Sequence, residues 1–451
     1  MNLSGCFKAY DVRGRVPGEL NPESVYRIGR AYAEWLRPKR VAVGRDIRHS
    51  SRELTEALIR GLNDSGVSVV DIGLCGTEGV YFTTFSLALD GGIMVTASHN
   101  PPDYNGLKFV REQSKPISGD TGLQDIRRLA EAGKFGDAAA RGTIESFDIA
   151  PSWRSHLLGY VDRGKLKPLS IVANSGNGGA GIAIDLVESG LPYRFTKVYH
   201  EPDGDFPHGV PNPMIEENRG VTSAAVRRER ADVGIAFDGD FDRCFFFDEQ
   251  GRFIEGYYIV GLLASYFLAK NPGASILYEP RLIWNTQDIV QALGGKAVIC
   301  KSGHAFMKAG MRAADAVYGG ETSAHHYFRD FSYCDSGMIP WLVMGQLLSE
   351  AGRPLSTLVD ERIRKFPSSG EINRKIADQQ AAIADVKREF VPGAVSVESI
   401  DGLSVAHERW RFNLRTSNTE PLVRLNVESR GDAALMQDKT AAILEVLARH
   451  A

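Results

Sequence analysis

The chain has 451 residues, 43% of them apolar and 24% charged, and a formal net charge of −3. That length exceeds one ordinary domain and predicts roughly three, while the near-neutral balance excludes a basic nucleic-acid surface. Five dispersed cysteines (Cys6, Cys75, Cys244, Cys300 and Cys334) without CxxC pairing exclude a disulfide framework and a zinc site.

The first third alternates short apolar runs with helix-like stretches. "RVAVGRD" (40–46) predicts a strand; the helix after it has Ser50 and Glu53 spaced as a capping box and Leu54, Leu58 and Leu62 on one face. "VSVVDIG" and "GGIMVTAS" predict further strands around the helical "TEGVYFTTFSLAL". Strand–helix–strand order implies crossovers and a mainly parallel sheet. A second unit opens with "PLSIVANSGNGGAGIAIDLVESG" and closes with "ADVGIAFDGDFDRCFFFDEQGRF". The third contains "YYIVGLLASYFLA" (257–269), too short to span a bilayer, then "ASILYEP" and "GGETSAHHYF". Beyond "FPSSGEI", strands lie between two helical stretches, a smaller α+β pattern. The expected division is 1–148, 149–252 and 253–366, three similar α/β domains with mainly parallel mixed sheets, then 367–451, an α+β domain. A start without a signal peptide's apolar core predicts a cytoplasmic protein with no membrane partner.

In "DGDFDR", Asp238, Asp240 and Asp242 follow the strand "VGIAF", where ligand sites of open α/β sheets lie. Carboxylates at alternate positions repel unless a cation joins them, and an all-oxygen set suits Mg²⁺. An EF-hand is excluded, because Arg243 stands where that loop needs glycine, although Glu249 fits its last position. A rival reading takes the same strand-D-x-D as a haloacid-dehalogenase-like phosphatase, with Asp238 as nucleophile and Asp240 as acid/base. "SGNGGAG" holds a GxGxxG (Gly176, Gly178, Gly181) with Glu201 some way on, a dinucleotide pattern that glycines of a tight turn also produce.

"TASHNPPDYNGLK" (96–108) presents Ser98 from a loop stiffened by Pro101 and Pro102. In extended chain the side chains of Ser98 and His99 would point apart, so a nucleophile–base dyad is not expected. A phosphorylated Ser98 facing a magnesium site uses all of these features. "RTSNTEP" gathers Arg415, Ser417, Asn418 and Thr419 into a turn that suits a phosphate clamp. In "GGETSAHHYF", Glu321, Ser323 and His325 alternate and would share one face if extended, which suits sugar hydroxyls.

These four segments, in this order, resemble the α-D-phosphohexomutase family over essentially the whole chain. The resemblance implies three similar α/β domains and a fourth α+β domain around a central cleft. It implies an enzyme interconverting mannose 6-phosphate and mannose 1-phosphate, and the glucose pair too, through a phosphoserine and a hexose 1,6-bisphosphate. By position, Ser98 would carry the phosphate, and Ser98, Asp238, Asp240 and Asp242 would hold Mg²⁺. Lys108, Arg243, Arg13 and His304 would serve the reaction centre, with Tyr10, Arg281, Glu321, Ser323 and His325 against the sugar. Arg415, Ser417, Asn418 and Thr419 would grip the phosphate that is not reacting. Hexose phosphates would be the partners of a monomer or weak dimer that supplies activated sugars for polysaccharide. A non-catalytic sugar-phosphate binder is the remaining alternative. One departure is Ala324, where many relatives carry glycine, and two domains closing on one ligand would need a hinge near 366–370.

Overall fold

The computed structural model describes residues 1–416 and 422–450. Its contacts gather into two units, Met1–Phe253 with His325–Gly352, and Ile254–Ala324 with Arg353–Ala451. In the first unit the strand order is Val12–Arg15, Tyr104–Arg111, Gly91–Val95, Arg40–Arg45, Ser68–Leu74 and Ile144–Ser146. Arg40–Arg45 runs parallel to both neighbours and Tyr104–Arg111 antiparallel to Gly91–Val95. Every residue of Gly91–Val95 is buried, which is why that run is apolar without alternation. Helices Pro22–Leu36 and Ser51–Asp64 add Val25, Ile28, Leu54, Leu58 and Leu62 to the core.

The expected capping box at Ser50 is absent. Ser50 has helical backbone angles and makes no side-chain cap; its hydroxyl instead accepts from Asn105 Nδ2 at 2.8 Å. A tertiary partner has outbid a local one.

A second sheet in this unit sets Val233–Phe237 parallel to Ser170–Asn174 and antiparallel to Cys244–Phe247. Val233–Phe237 is wholly buried and delivers the aspartate loop at its C-terminal end. The glycines of "SGNGGAG" have a packing reason. A Cβ on Gly178 would lie 2.9 Å from the carbonyl oxygen of Gly239, so the bare backbone lets this turn press against the aspartate loop.

In the second unit, Ser275–Tyr278 lies parallel to Lys296–Ile299 and Tyr318–Gly320. An antiparallel sheet follows, in the order Ser368–Lys375, Leu422–Ser429, Trp410–Thr416, Leu403–Ala406 and Ser396–Glu398. Helices Gln379–Phe390 and Ala433–Ala448 cover it, and Val405, Phe412, Leu425 and Ile443 form its core. Together with the first two sheets these make three α/β domains and a C-terminal α+β domain. A buried ion pair lies within the last domain, where Arg411 Nη1 donates to Glu428 Oε1 at 2.8 Å, and Arg411 reaches the preceding domain by donating to the carbonyls of Pro280 and Arg281. No described helix is long and apolar enough to cross a membrane.

Candidate active site

The serine loop rests on one arginine that sequence reasoning missed. Arg48 is buried and donates to the carbonyls of Ser98 (2.8 Å), Asn100 (2.6 Å), Pro101 (2.6 Å) and Tyr104 (3.0 Å). It pairs with Asp46 at 3.3 Å, and Asp46 also accepts from Thr96 Oγ1 at 2.7 Å. Thr96 Oγ1 in turn accepts from the Ser98 amide at 3.0 Å. This pedestal holds Ser98 at φ 49, a left-handed conformation that costs a non-glycine roughly 1–2 kcal/mol. Because the chain is not extended there, Ser98 Oγ and His99 Nδ1 do meet, at 3.1 Å; the expectation that they point apart is corrected. They still form no dyad. Arg243 Nη2 donates to the same Nδ1 at 2.8 Å, and burial, then Arg243 and Arg13, hold His99 well below the ordinary imidazole range.

Ser98 Oγ donates to Asp238 Oδ2 at 2.9 Å. Arg243 donates to that oxygen from Nε (2.9 Å) and Nη2 (2.7 Å). Burial pushes the Asp238 carboxyl up to about 6, with Arg243 pulling against it. Asp238 Oδ2 is thus engaged three times, once by Ser98 and twice by Arg243. Lys108 Nζ donates to Asp240 Oδ2 and Asp242 Oδ2, both at 2.7 Å. Burial alone would lower the lysine, but Asp240 and Asp242 outweigh it and hold its pKa above the ordinary value. Thr77 Oγ1, also missed, donates to Asp240 Oδ2 at 2.5 Å.

Ligand oxygens of Asp238, Asp240 and Asp242 lie within 4.8 Å of one another. Among the described residues Asp240 Oδ1 is buried with no hydrogen-bond partner, an uncommon state for a carboxylate oxygen. An all-oxygen set with an orphaned acceptor fits a hard divalent cation. Arg13 stands nearby, donating from Nε to Asp11 at 2.8 Å and from Nη1 to Asn100 Oδ1. His325 Nε2 approaches Asp242 Oδ1 at 3.7 Å and Asp335 Oδ2 at 4.0 Å. Tyr10 is half-buried in the same unit.

The second unit collects Arg281, His304, Glu321, Ser323 and Arg415. Glu279, unnoticed in the sequence, anchors the group: it pairs with Arg281 and accepts from Ser302 Oγ (2.6 Å) and the amide of Thr322 (2.7 Å). Glu321 Oε1 accepts from the Gly303 amide at 2.8 Å, beside His304 at the start of helix His304–Ala314. The expected alternation of Glu321, Ser323 and His325 does not hold. Ala324 sits at φ 69 and its amide donates to the Glu321 carbonyl at 3.1 Å, so the segment turns. That left-handed position also explains why glycine suits it. Arg415 Nη2 donates to Glu371 at 2.9 Å, while Ser417, Asn418 and Thr419 lie outside the described residues.

Four domain profiles of the phosphoglucomutase/phosphomannomutase family match in order: domain I at residues 4–137, domain II at 153–251, domain III at 255–366 and the C-terminal domain at 371–446. The chain belongs to this family of α-D-phosphohexomutases. It is 58% identical to an Escherichia coli phosphomannomutase, over 98% of this chain and 99% of that one. It is 56% identical to a protein of Xanthomonas campestris pv. campestris named phosphohexose mutases, with 98% and 99% covered. A crystal structure of a phosphoglucomutase/phosphomannomutase family protein from Burkholderia thailandensis superposes with TM-score 0.89 at 32% identity, covering 99% of this chain and 98% of that one. Family membership makes the chain a mutase.

Proposed function

We propose that the protein interconverts mannose 6-phosphate and mannose 1-phosphate, and the corresponding glucose phosphates, in the cytoplasm. Ser98 carries the transferring phosphoryl group. The observation that supports this most is the contact of the Ser98 hydroxyl with Asp238 in a cluster where one Asp240 oxygen has no hydrogen-bond partner among the described residues. Asp238, Asp240, Asp242 and the Ser98 phosphate would hold Mg²⁺, which offsets charge on the phosphoryl oxygens. A phosphoserine bears about −1.5 to −2 charges, so Lys108, Arg243 and Arg13 are needed as permanent cations beside it. In the first half-reaction the P–O bond to Ser98 breaks and one to the sugar hydroxyl forms; that hydroxyl's proton ends on Ser98 Oγ. The hexose 1,6-bisphosphate then returns its other phosphate to Ser98 by the reverse exchange.

Arg281, His304, Glu321, Ser323, His325 and Tyr10 contact the hexose in this reading, and Arg415, Ser417, Asn418 and Thr419 grip its resting phosphate. The domain borders 1–148, 149–252, 253–366 and 367–451 belong to the same reading. The test is steady-state isomerisation of mannose 1-phosphate and glucose 1-phosphate side by side. Ser98→Ala should lose at least a thousandfold, on the order expected when a covalent nucleophile is removed, and a chelator should stop the parent. Full activity in either case would refute the proposal.

A further inference from the structure

Asn177, inside "SGNGGAG", stands at φ 58, a left-handed conformation that asparagine tolerates better than most residues. Its four polar groups all reach one stretch of chain, 199–208. The amide donates to the Tyr199 carbonyl at 2.7 Å, and Nδ2 donates to the Glu201 carbonyl at 2.8 Å. The Asn177 carbonyl accepts from the Asp203 amide at 2.9 Å, and Oδ1 lies 2.8 Å from His208 Nδ1. The amides of Gly176 and Gly178 bond within the turn, to Asn174 Oδ1 and the Ser175 carbonyl. The turn therefore directs its donors at its own chain and fastens the 199–208 segment.

That segment carries Phe206 from the second domain to the first. The Phe206 amide donates to the Asp203 carbonyl at 3.1 Å, and the Asp203 carboxylate accepts from the Asp205 amide at 2.9 Å. A Cβ on Gly204 would lie 2.8 Å from the Ile47 carbonyl oxygen, so the bare backbone lets this turn pass against the residue before Arg48. Asp205 Oδ1 lies 2.8 Å from Nε2 of His49, the residue after it. Phe206 itself stands at φ 47, which bulky residues rarely adopt. Such backbone persists only where surrounding contacts over-determine it, and it gathers where position matters to function. The Phe206 ring is buried, and Arg48 Cζ lies over it, 5.3 Å from the centroid. Each Nη of Arg48 already gives two bonds to carbonyls of the Ser98 loop. An aromatic face attracts the cation without drawing any of those donors away.

We infer that Phe206 is a positioning residue for the reaction at Ser98: its ring, held by Asn177 through the 199–208 segment, fixes the Arg48 guanidinium from which the serine loop hangs. The second domain then serves the reaction centre twice, through the aspartate loop and through a brace behind Ser98. The inference rests on the proposed mutase reading, in which Ser98 carries the phosphoryl group; what it adds is two residues of the second domain that touch no reacting atom.

The full chain with Mg²⁺ is given a hexose 1,6-bisphosphate labelled in its phosphates. The single-turnover rate of Ser98 labelling and the half-saturating concentration are measured together. Phe206→Ala should slow the saturated rate at least about tenfold, toward the roughly hundredfold that a displacement of about 1 Å costs, and leave half-saturation within about threefold of the parent. Phe206→Leu, which keeps the apolar cover but no aromatic face, should fall between Phe206→Ala and the parent. Should Phe206→Ala not fold in thermal melts, Phe206→Leu carries the same comparison. Asn177→Gly keeps the left-handed backbone, loses both side-chain contacts and should slow the rate in the same way. The deciding variant places Phe206→Ala in Arg48→Lys. Both act through one guanidinium, so the pair should stay within about threefold of Arg48→Lys alone, whereas independent losses multiply. A parent-like rate in Phe206→Ala, or losses that multiply in the double variant, overturns the inference while the parent still labels Ser98. If the parent takes no label on Ser98, the mutase reading beneath it falls as well.

Discussion

Replacing Arg48 should disable the enzyme without touching any reacting atom. Its guanidinium serves four backbone carbonyls of the Ser98 loop and the carboxylate of Asp46. A lysine brings three donors to those acceptors, so Arg48→Lys leaves at least two of them unmet. Each buried acceptor left bare costs about 1–3 kcal/mol, which gives a loss on the order of 2–6 kcal/mol if the loop stays in place. If the loop relaxes instead, a displacement of about 1 Å at Ser98 is enough to slow transfer roughly a hundredfold. Arg48→Met should be worse, because it also strands Asp46 as a buried unpaired charge, at about 3–5 kcal/mol. The assay pairs urea unfolding with kcat/KM on mannose 1-phosphate for both variants. Should Arg48→Lys leave the urea midpoint and kcat/KM within threefold of the parent, the pedestal argument is wrong.

Three further outcomes are expected. Gly239→Ala puts a Cβ into the Ser98 carbonyl oxygen, so the backbone must shift, the melting temperature should drop and kcat/KM should fall about a hundredfold; a fully active variant would show that the loops do not meet as described. Lys108→Met removes the cation shared by Asp240 and Asp242, and calorimetric titration should then find Mg²⁺ bound about tenfold more tightly, roughly 1.4 kcal/mol, while turnover drops. Unchanged or weaker Mg²⁺ binding would count against competition between lysine and metal. His326 is buried, and burial, then His325, pushes its imidazole down to about 3. The unfolded chain takes up that proton near pH 6.5, so stability is complete above that value and falls by about 1.4 kcal/mol per pH unit as pH drops toward 3. His326→Gln should flatten this slope in urea melts between pH 6.5 and 4; an unaltered slope assigns it elsewhere.

What could be seen in the sequence was whatever local chain carries. Asp238, Asp240 and Asp242 leave one buried strand together, and the same short loop holds Arg243, so their convergence needed no long-range knowledge. Thr77 reaches Asp240 from 163 positions away, and Arg48 meets the Ser98 carbonyl across 50; neither has a spacing that a linear pattern could register. Glu371 stayed hidden for a related reason, since a bulge decides where its side chain is aimed. Two local rules failed because backbone or tertiary context overrode them. Ser50 gave its hydroxyl to Asn105 and not to a helix cap, and the left-handed turns at Ser98 and Ala324 cancelled the alternation assumed for extended chain.

The account depends most on where the phosphoryl group is held. Incubating the protein with a hexose 1,6-bisphosphate labelled in its phosphates, digesting it and mapping the labelled peptide tests this directly. Label on Ser98, stable to hydroxylamine, is the predicted result. A hydroxylamine-labile label on Asp238, or turnover with no labelled peptide at all, would contradict it.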